Sequence, residues 1–334
     1  MANEPVTRIG VVGGGAWGTA LATVAARAAL DVKLWALEPE VADAINAGHE
    51  NTTFLPGVKL DEAISATNDL ADMADRDAIL LVTPAQALRE VAGTLCQHVG
   101  SHIPLAICSK GIERGSALMM TEVLSQVAPF ANMLVLSGPS FAADVARGLP
   151  TAVTLAGRDL DHGKPIAEAL SGPTFRPYLS GDMIGAQVGG AIKNVLAIAC
   201  GIVEGKKLGA SARAALTTRG FAELVRFGTA LGAQAETLNG LSGLGDLILT
   251  CTSSQSRNMS LGMALGQGQT AEQVLGARTS VSEGAYTAAV VVEMARTRGI
   301  EMPICAAVNE ILESTTDVDG AIERLLTRPI KAEN

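Results

Sequence analysis

The sequence has no excess of positive charge. Lys and Arg number 25 against 34 Asp and Glu, a formal net charge of -9. That excludes a general affinity for nucleic acid or an anionic membrane surface. Any anionic ligand must therefore meet basic groups placed locally. Cysteine is sparse: Cys96, Cys108, Cys200, Cys251 and Cys305 are scattered, with no C-x-x-C pair. Such spacing offers no metal site and reads as reduced thiols in a cytosolic protein. The start of the chain has no basic stretch leading into an apolar one, so no signal peptide is expected. The longest apolar run, near Lys193, is expected to fall far short of a membrane span. No internal repeat, low-complexity tract, long charge run or Ser-His-Asp arrangement is present. The histidines (His49, His98, His102, His162) lie outside every motif below and are expected at the surface.

What remains is a chain of 334 residues, 48% apolar and 18% charged. It is apolar enough to fold and longer than one core usually serves, so two domains are expected. Thr7–Val12 reads as a strand, Gly13-Gly-Gly-Ala-Trp-Gly18 as a turn, and Thr19–Arg27 as a helix. This order is the context that gives a G-x-G-x-x-G match its meaning. Gly13 permits the tight turn, Gly15 lets backbone approach a pyrophosphate, and Gly18 lets helix and strand pack closely. The helix start then offers free N–H groups to the anion. A second strand, Asp31–Trp35, leads to Glu38, an acid spaced to meet a ribose 2′-hydroxyl. No lysine stands between Gly18 and Thr19, which argues against a nucleotide P-loop. The motif predicts dinucleotide binding.

Apolar runs at Asp77–Val82, Ile103–Cys108 and Met133–Leu136 alternate with helical segments, as in a parallel sheet covered on both faces. Ligands sit at the carboxyl ends of such strands. Lys110 and Ser140 follow two of these ends. Lys110 is a ligand contact or a surface lysine. Ser140 is a ligand contact or the cap of a helix over Phe141–Val145. Asn51–Gly57 is a turn-rich loop that suggests nothing further. Strands at Ala152–Leu155 and Phe175–Leu179 close this half. Beyond residue 181 only helices are predicted, around 186–203, 212–231, 258–265, 283–298, 304–313 and 320–326. The fold class is therefore α/β: a Rossmann-like, doubly wound sheet over residues 1–180, then an all-helical domain over 181–334.

The first of these helices organises the chain. Val188, Ile192, Val195, Ala199 and Ile202 form an apolar stripe. Lys193 lies within it, with no carboxylate three or four residues away. Gly189 and Gly190 leave a flat floor beside it. Such a lysine either snorkels to water or serves a ligand. Asp246, after Gly240, Gly243 and Gly245 and before an apolar run, wants a partner, and Lys193 is a candidate. The alternative is a helix-capping aspartate. Ser256 can cap the next helix, with Arg257 and Asn258 in its first turn. An arginine there opposes the helix dipole unless an anion is present, and a phosphate would reverse the balance. The alternative is a solvated arginine.

Taken together, Gly13–Gly18, Asn51–Pro56, Ser109–Gly111, Gly138–Ala142, Gly189–Asn194, Gly243–Asp246, Ser256–Asn258 and Glu283-Gly284 resemble the bacterial-type NAD(P)-dependent glycerol-3-phosphate dehydrogenases over essentially the whole chain. The resemblance implies reversible reduction of dihydroxyacetone phosphate to sn-glycerol 3-phosphate by NAD(P)H, for phospholipid synthesis. It implies Lys193 as catalytic acid and base. It implies substrate contacts from Lys110, Gly138, Ser140, Lys193, Asp246, Ser256, Arg257 and Asn258. Cofactor contacts would come from Trp17, Lys110, Ala142, Arg257, Val281 and Glu283, beside Gly13, Gly15, Ala16, Gly18 and Glu38 of the turn and second strand. It further implies a cytoplasmic homodimer with no metal, no nucleic-acid partner and no stable membrane insertion. Ala16 stands where many relatives carry Ser, and Leu37 where a polar or basic side chain is common. Both departures bear on cofactor preference. The rival readings are a related dehydrogenase of a 2- or 3-hydroxy acid, with a carboxylate at Arg257, and a dinucleotide sensor without turnover.

Overall fold

Strands form where short apolar runs are shielded on both sides. Ala78–Leu81 is buried at every residue. In this computed structural model, which describes residues 5–276, 282–330 and 332, eight strands form one sheet. They are β1 (Arg8–Val12), β2 (Asp31–Trp35), β3 (Ile64–Thr67), β4 (Ala78–Leu81), β5 (Leu105–Ile107), β6 (Met133–Ser137), β7 (Thr151–Gly157) and β8 (Phe175–Ser180), ordered β3-β2-β1-β4-β5-β6-β7-β8. The strands from β1 to β6 pair in parallel, with Gly10 opposite both Lys33 and Ile79. The expectation of a parallel sheet fails at one seam, since β7 runs antiparallel to β6 while β8 runs parallel to β7. An apolar run looks the same in either direction, so composition could not show this. β3 was not foreseen either. Helices α1 (Ala16–Arg27), α2 (Pro39–Gly48), α3 (Leu88–Leu95), α4 (Met120–Val127), α5 (Ala142–Ala146) and α6 (Leu160–Leu170) join the strands. The order reverses between β1 and β4, the place where open α/β sheets bind ligands.

After β8 the described residues are helical: α7 (Met183–Gly205), α8 (Ala210–Ala230), α9 (Ala235–Leu238), α10 (Asp246–Thr252), α11 (Arg257–Gly266), α12 (Ala271–Gly276), α13 (Glu283–Thr297), α14 (Pro303–Leu312) and α15 (Val318–Leu326). Asp182 starts α7 by accepting the Gly185 N–H at 2.8 Å, and its other oxygen accepts the Gln234 N–H at 2.8 Å. The predicted apolar stripe on α7 is a correction. The helix is buried almost all round, because α8, α10, α11, α13 and α14 pack about it. The membrane-span expectation also changes. At 23 residues α7 is long and apolar enough to cross a bilayer, yet its apolar stretch is wholly covered by protein. Its glycines serve this packing. Gly201 and Gly205 face Gly262 and Gly266 of α11 so closely that an added Cβ on any of the four would strike carbonyl oxygens of the other helix.

Candidate active site

The glycine turn follows β1 and opens α1 as expected. Gly13 has φ 134°, a conformation side-chain-bearing residues avoid, and an added Cβ would lie 2.6 Å from the Val82 carbonyl oxygen. Gly18 abuts the Gly13 carbonyl, and Gly14 packs on Ala36. Gly15 is different: an added Cβ meets no protein atom within 4 Å. Backbone is thus open to outside approach at the residue where α1 begins. The first turn of α1, with Ala16 and Trp17, has no side-chain cap and no acid to satisfy its N–H groups. These features fit a dinucleotide pyrophosphate. Asn51, whose loop suggested nothing in sequence, holds the turn from behind. Its amide is fully buried and donates to Gly14 O at 2.7 Å and Thr19 Oγ1 at 2.8 Å. Glu38 follows the end of β2, begins α2 and is half-buried, with exposed Leu37 beside it.

Across the sheet edge, three charged side chains meet. Asp246 is fully buried and receives Lys193 Nζ on one oxygen at 2.5 Å and Lys110 Nζ on the other at 2.7 Å. Lys193 also donates to Thr250 Oγ1 at 3.1 Å. Lys110, at the loop after β5, donates to Gly138 O at 3.0 Å, which accepts Ser140 Oγ at 3.0 Å as well. Ser140 is therefore not the cap of α5, which has no side-chain cap. Asp246 is not a cap either: it is the first residue of α10, after a π-helical turn over Leu241–Gly245. The floor beside Gly189 and Gly190 is not free. The Ser242–Gly243 backbone presses on Gly189, and the Lys110 stem and Ser137 Oγ lie on Gly190. Burial pushes the Lys193 ammonium down to about 8, opposed by the Asp246 carboxylate and aided by the Lys110 charge.

The start of α11 meets α7 one residue beyond Lys193, at Asn194. Ser256 caps it, accepting the Met259 N–H at 3.2 Å. Asn258 donates to Asn194 Oδ1 at 3.0 Å and accepts the Gly284 N–H at 3.1 Å. Glu283 accepts the Ala85 N–H at 3.2 Å, tying the start of α13 to the turn that follows β4. Burial raises the Glu283 pKa, opposed by that N–H and by the positive charge of Arg257. Glu283 Oε2, Thr287 Oγ1, Thr83 Oγ1 and Ser137 Oγ are buried without a hydrogen-bond partner in the described protein. Thr83 and Ser137 lie at strand ends, and Glu283 Oε2 and Thr287 Oγ1 lie near Gly111. Ala142 opens α5, which packs on α1. Val281 lies outside the described residues. Among the described residues no group of three His, Cys, Asp or Glu could hold a metal ion. His98, His102 and His162 are exposed and His49 is half-buried. Thr250, Asn194 and Asn51 had escaped the sequence reading as contacts.

The geometry can be set beside known proteins. The family model described as the NAD-dependent glycerol-3-phosphate dehydrogenase N-terminus matches residues 8–162, and that of the C-terminus matches residues 182–323. A glycerol-3-phosphate dehydrogenase (NAD(P)+) of Parvibaculum lavamentivorans is 60% identical over 326 residues, 98% of each chain. That of Rhodospirillum rubrum is 58% identical over 332 residues, 99% of this chain and 95% of its own. A crystal structure of glycerol-3-phosphate dehydrogenase from Coxiella burnetii superposes with a TM-score of 0.92 at 40% identity, covering 97% of this chain and 99% of that one.

Proposed function

The chain belongs to the NAD-dependent glycerol-3-phosphate dehydrogenase family, and from that membership we infer that it reduces dihydroxyacetone phosphate reversibly to sn-glycerol 3-phosphate with NAD(P)H. When bound, the dinucleotide supplies the hydride. Gly13, Gly15, Ala16 and Gly18 would hold its pyrophosphate, and Trp17, Glu38, Ala142, Val281 and Glu283 the remainder. Ser256, Arg257 and Asn258 hold the substrate phosphate at the start of α11. Lys110, Gly138 and Ser140 line the other side. Lys193 gives its proton to the carbonyl oxygen as the alkoxide forms, and its charge steadies the developing oxyanion. Asp246 positions the ammonium. With a pKa near 8, Lys193 is charged at neutral pH yet close to giving up its proton. The observation that carries this assignment is the fully buried Asp246 held between buried Lys193 and half-buried Lys110, which follows the end of β5.

The division into a cofactor half over 1–180 and a substrate half over 181–334 accords with the last strand ending at Ser180 and α7 starting at Met183. The family reading supports a cytoplasmic homodimer supplying phospholipid synthesis, without stable membrane insertion. The burial of α7 accords with the last point. The test follows oxidation of NADH and of NADPH with dihydroxyacetone phosphate. Turnover is expected with both, and unphosphorylated dihydroxyacetone should be a poor substrate. No Lys or Arg stands between Ala36 and Ala42, and a carboxylate at Glu38 repels a 2′-phosphate. Glu38→Ala should therefore narrow any NADH advantage. Turnover of hydroxy-acid ketones in preference to the phosphate ester would overturn the substrate assignment.

A further inference from the structure

Gln187 sits on α7 six residues before Lys193, and the mechanism above does not use it. It is 5% exposed, and its amide makes three hydrogen bonds. Oε1 accepts the Thr121 N–H at 2.9 Å, and Nε2 donates to Thr121 Oγ1 at 3.0 Å and to Met183 O at 2.9 Å. Thr121 is the second residue of α4, where a helix leaves N–H groups without internal partners. A side chain of the helical half thus caps a helix of the sheet half.

The site of that clamp matters because of what precedes α4. The connection from β5 to α4 carries Lys110 near its start and Met119 at its end. Ile112 and Met119 bridge to each other, closing this segment into a narrow loop. Both pack in the same apolar core as α7. One end of the segment is held through Lys110 on Asp246, and the other through Thr121 on Gln187. Lys110 and Lys193 come from different halves, yet both must meet the one Asp246 carboxylate. The glycine crossing sets which face of α7 meets α11, but it does not tie α7 to the Lys110 segment. A bidentate amide does, because two directional bonds to one residue define an orientation.

We propose that Gln187 is a positioning residue, which fixes the rotation and register of α7 against the Lys110 segment and so places the Lys193 ammonium for proton transfer. This rests on Lys193 being the proton donor. Leucine at position 187 keeps the bulk and loses all three bonds. Glutamate keeps the two bonds to Thr121, whose hydroxyl can turn to donate, but sets a carboxylate oxygen against the Met183 carbonyl in a buried place, which costs part of what it keeps. Valine at position 121 keeps the backbone N–H bond and loses the hydroxyl one.

The test compares Gln187→Leu, Gln187→Glu, Thr121→Val and Lys193→Met for melting temperature, cofactor Kd, kcat and ketone-phosphate KM. Misplacement by a fraction of an ångström should cost Gln187→Leu about tenfold or more in kcat. Its cofactor Kd and substrate KM should stay near the parent values, since the glycine turn and the start of α11 are untouched. Gln187→Glu, which keeps the Thr121 bonds, should recover part of the loss, and Thr121→Val should show a smaller loss in kcat of the same kind. Should Gln187→Leu fail to fold, the graded kcat of the other two variants decides. A clamp that only stabilises would lower the melting temperature and leave kcat at the parent value in all three, overturning the proposal while Lys193→Met is inactive. Full turnover in Lys193→Met would overturn the proton-donor assignment and the clamp's role with it.

Discussion

At the scale of single residues, the site depends on a charge shared three ways. Two ammonium groups face one carboxylate, and burial pulls the Lys193 pKa down to about 8. Reduction needs the protonated lysine, so ketone turnover should fall as pH rises through about 8, while oxidation of the alcohol should rise. Lys193→Met should remove that inflection and lower the rate by roughly 10²-fold or more. Single-turnover measurements with saturating ketone phosphate would decide, and a rate within a few-fold of the parent would pass the role to Lys110. Asp246→Asn removes the charge that holds the Lys193 pKa up, so its residual activity should show the inflection at lower pH. Lys193 was legible because an unpaired cation on an apolar helix demands an account. Its partner was only a candidate, since Asp246 is 53 residues away. Asn51 was legible only as part of a stretch that matches the family: nothing in the chemistry of a turn-rich loop tells that its amide folds back onto Gly14 and Thr19.

At the scale of elements, α11 joins two requirements. Its start must present Arg257 and N–H groups to a phosphate, and its body must lie against α7. Arg257→Ala should raise the substrate KM by about 10- to 100-fold, the worth of a lost charged hydrogen bond. Unchanged KM would remove Arg257 from the phosphate contact. Its body is fixed by the glycine crossing, where an added Cβ on Gly262 would press on the Ile198 carbonyl. Gly262→Ala should destabilise the fold by about 1–3 kcal/mol, read as a lower denaturation midpoint. Capping chemistry and the spacing of apolar residues made α11 and α13 predictable from sequence. The short helices α9 and α12 and the π-turn before α10 were not, because four to six residues hold too few turns for a period to show. The apolar face of α7 reads as a stripe in sequence because most of its cover comes from five later helices, which no local window contains.

At the scale of the whole molecule, the two halves meet over a buried cation, and that leaves a mark on stability. Lys193 has a folded pKa of about 8, below the 10.5 of an unhindered lysine. Below about pH 8 it is charged folded and unfolded alike, so the fold carries the full desolvation cost. Between about 8 and 10.5 the unfolded chain binds a proton that the folded chain has released. Unfolding free energy therefore rises with pH across that window, by at most about 1.4 kcal/mol per pH unit for one group. Lys193→Met lacks this group, and Asp246 keeps Lys110 as its partner. The variant should fold, and its stability relative to the parent should be greatest at or below pH 8. That relative stability should then decline toward pH 10. Other groups that titrate in this range do so in both proteins, so the difference between them isolates Lys193. Denaturant midpoints for both at pH 7, 8, 9 and 10 would show the trend. A difference independent of pH would mean that Lys193 titrates in the folded chain as it does in the unfolded one, and the turnover inflection near pH 8 would then have to come from another group.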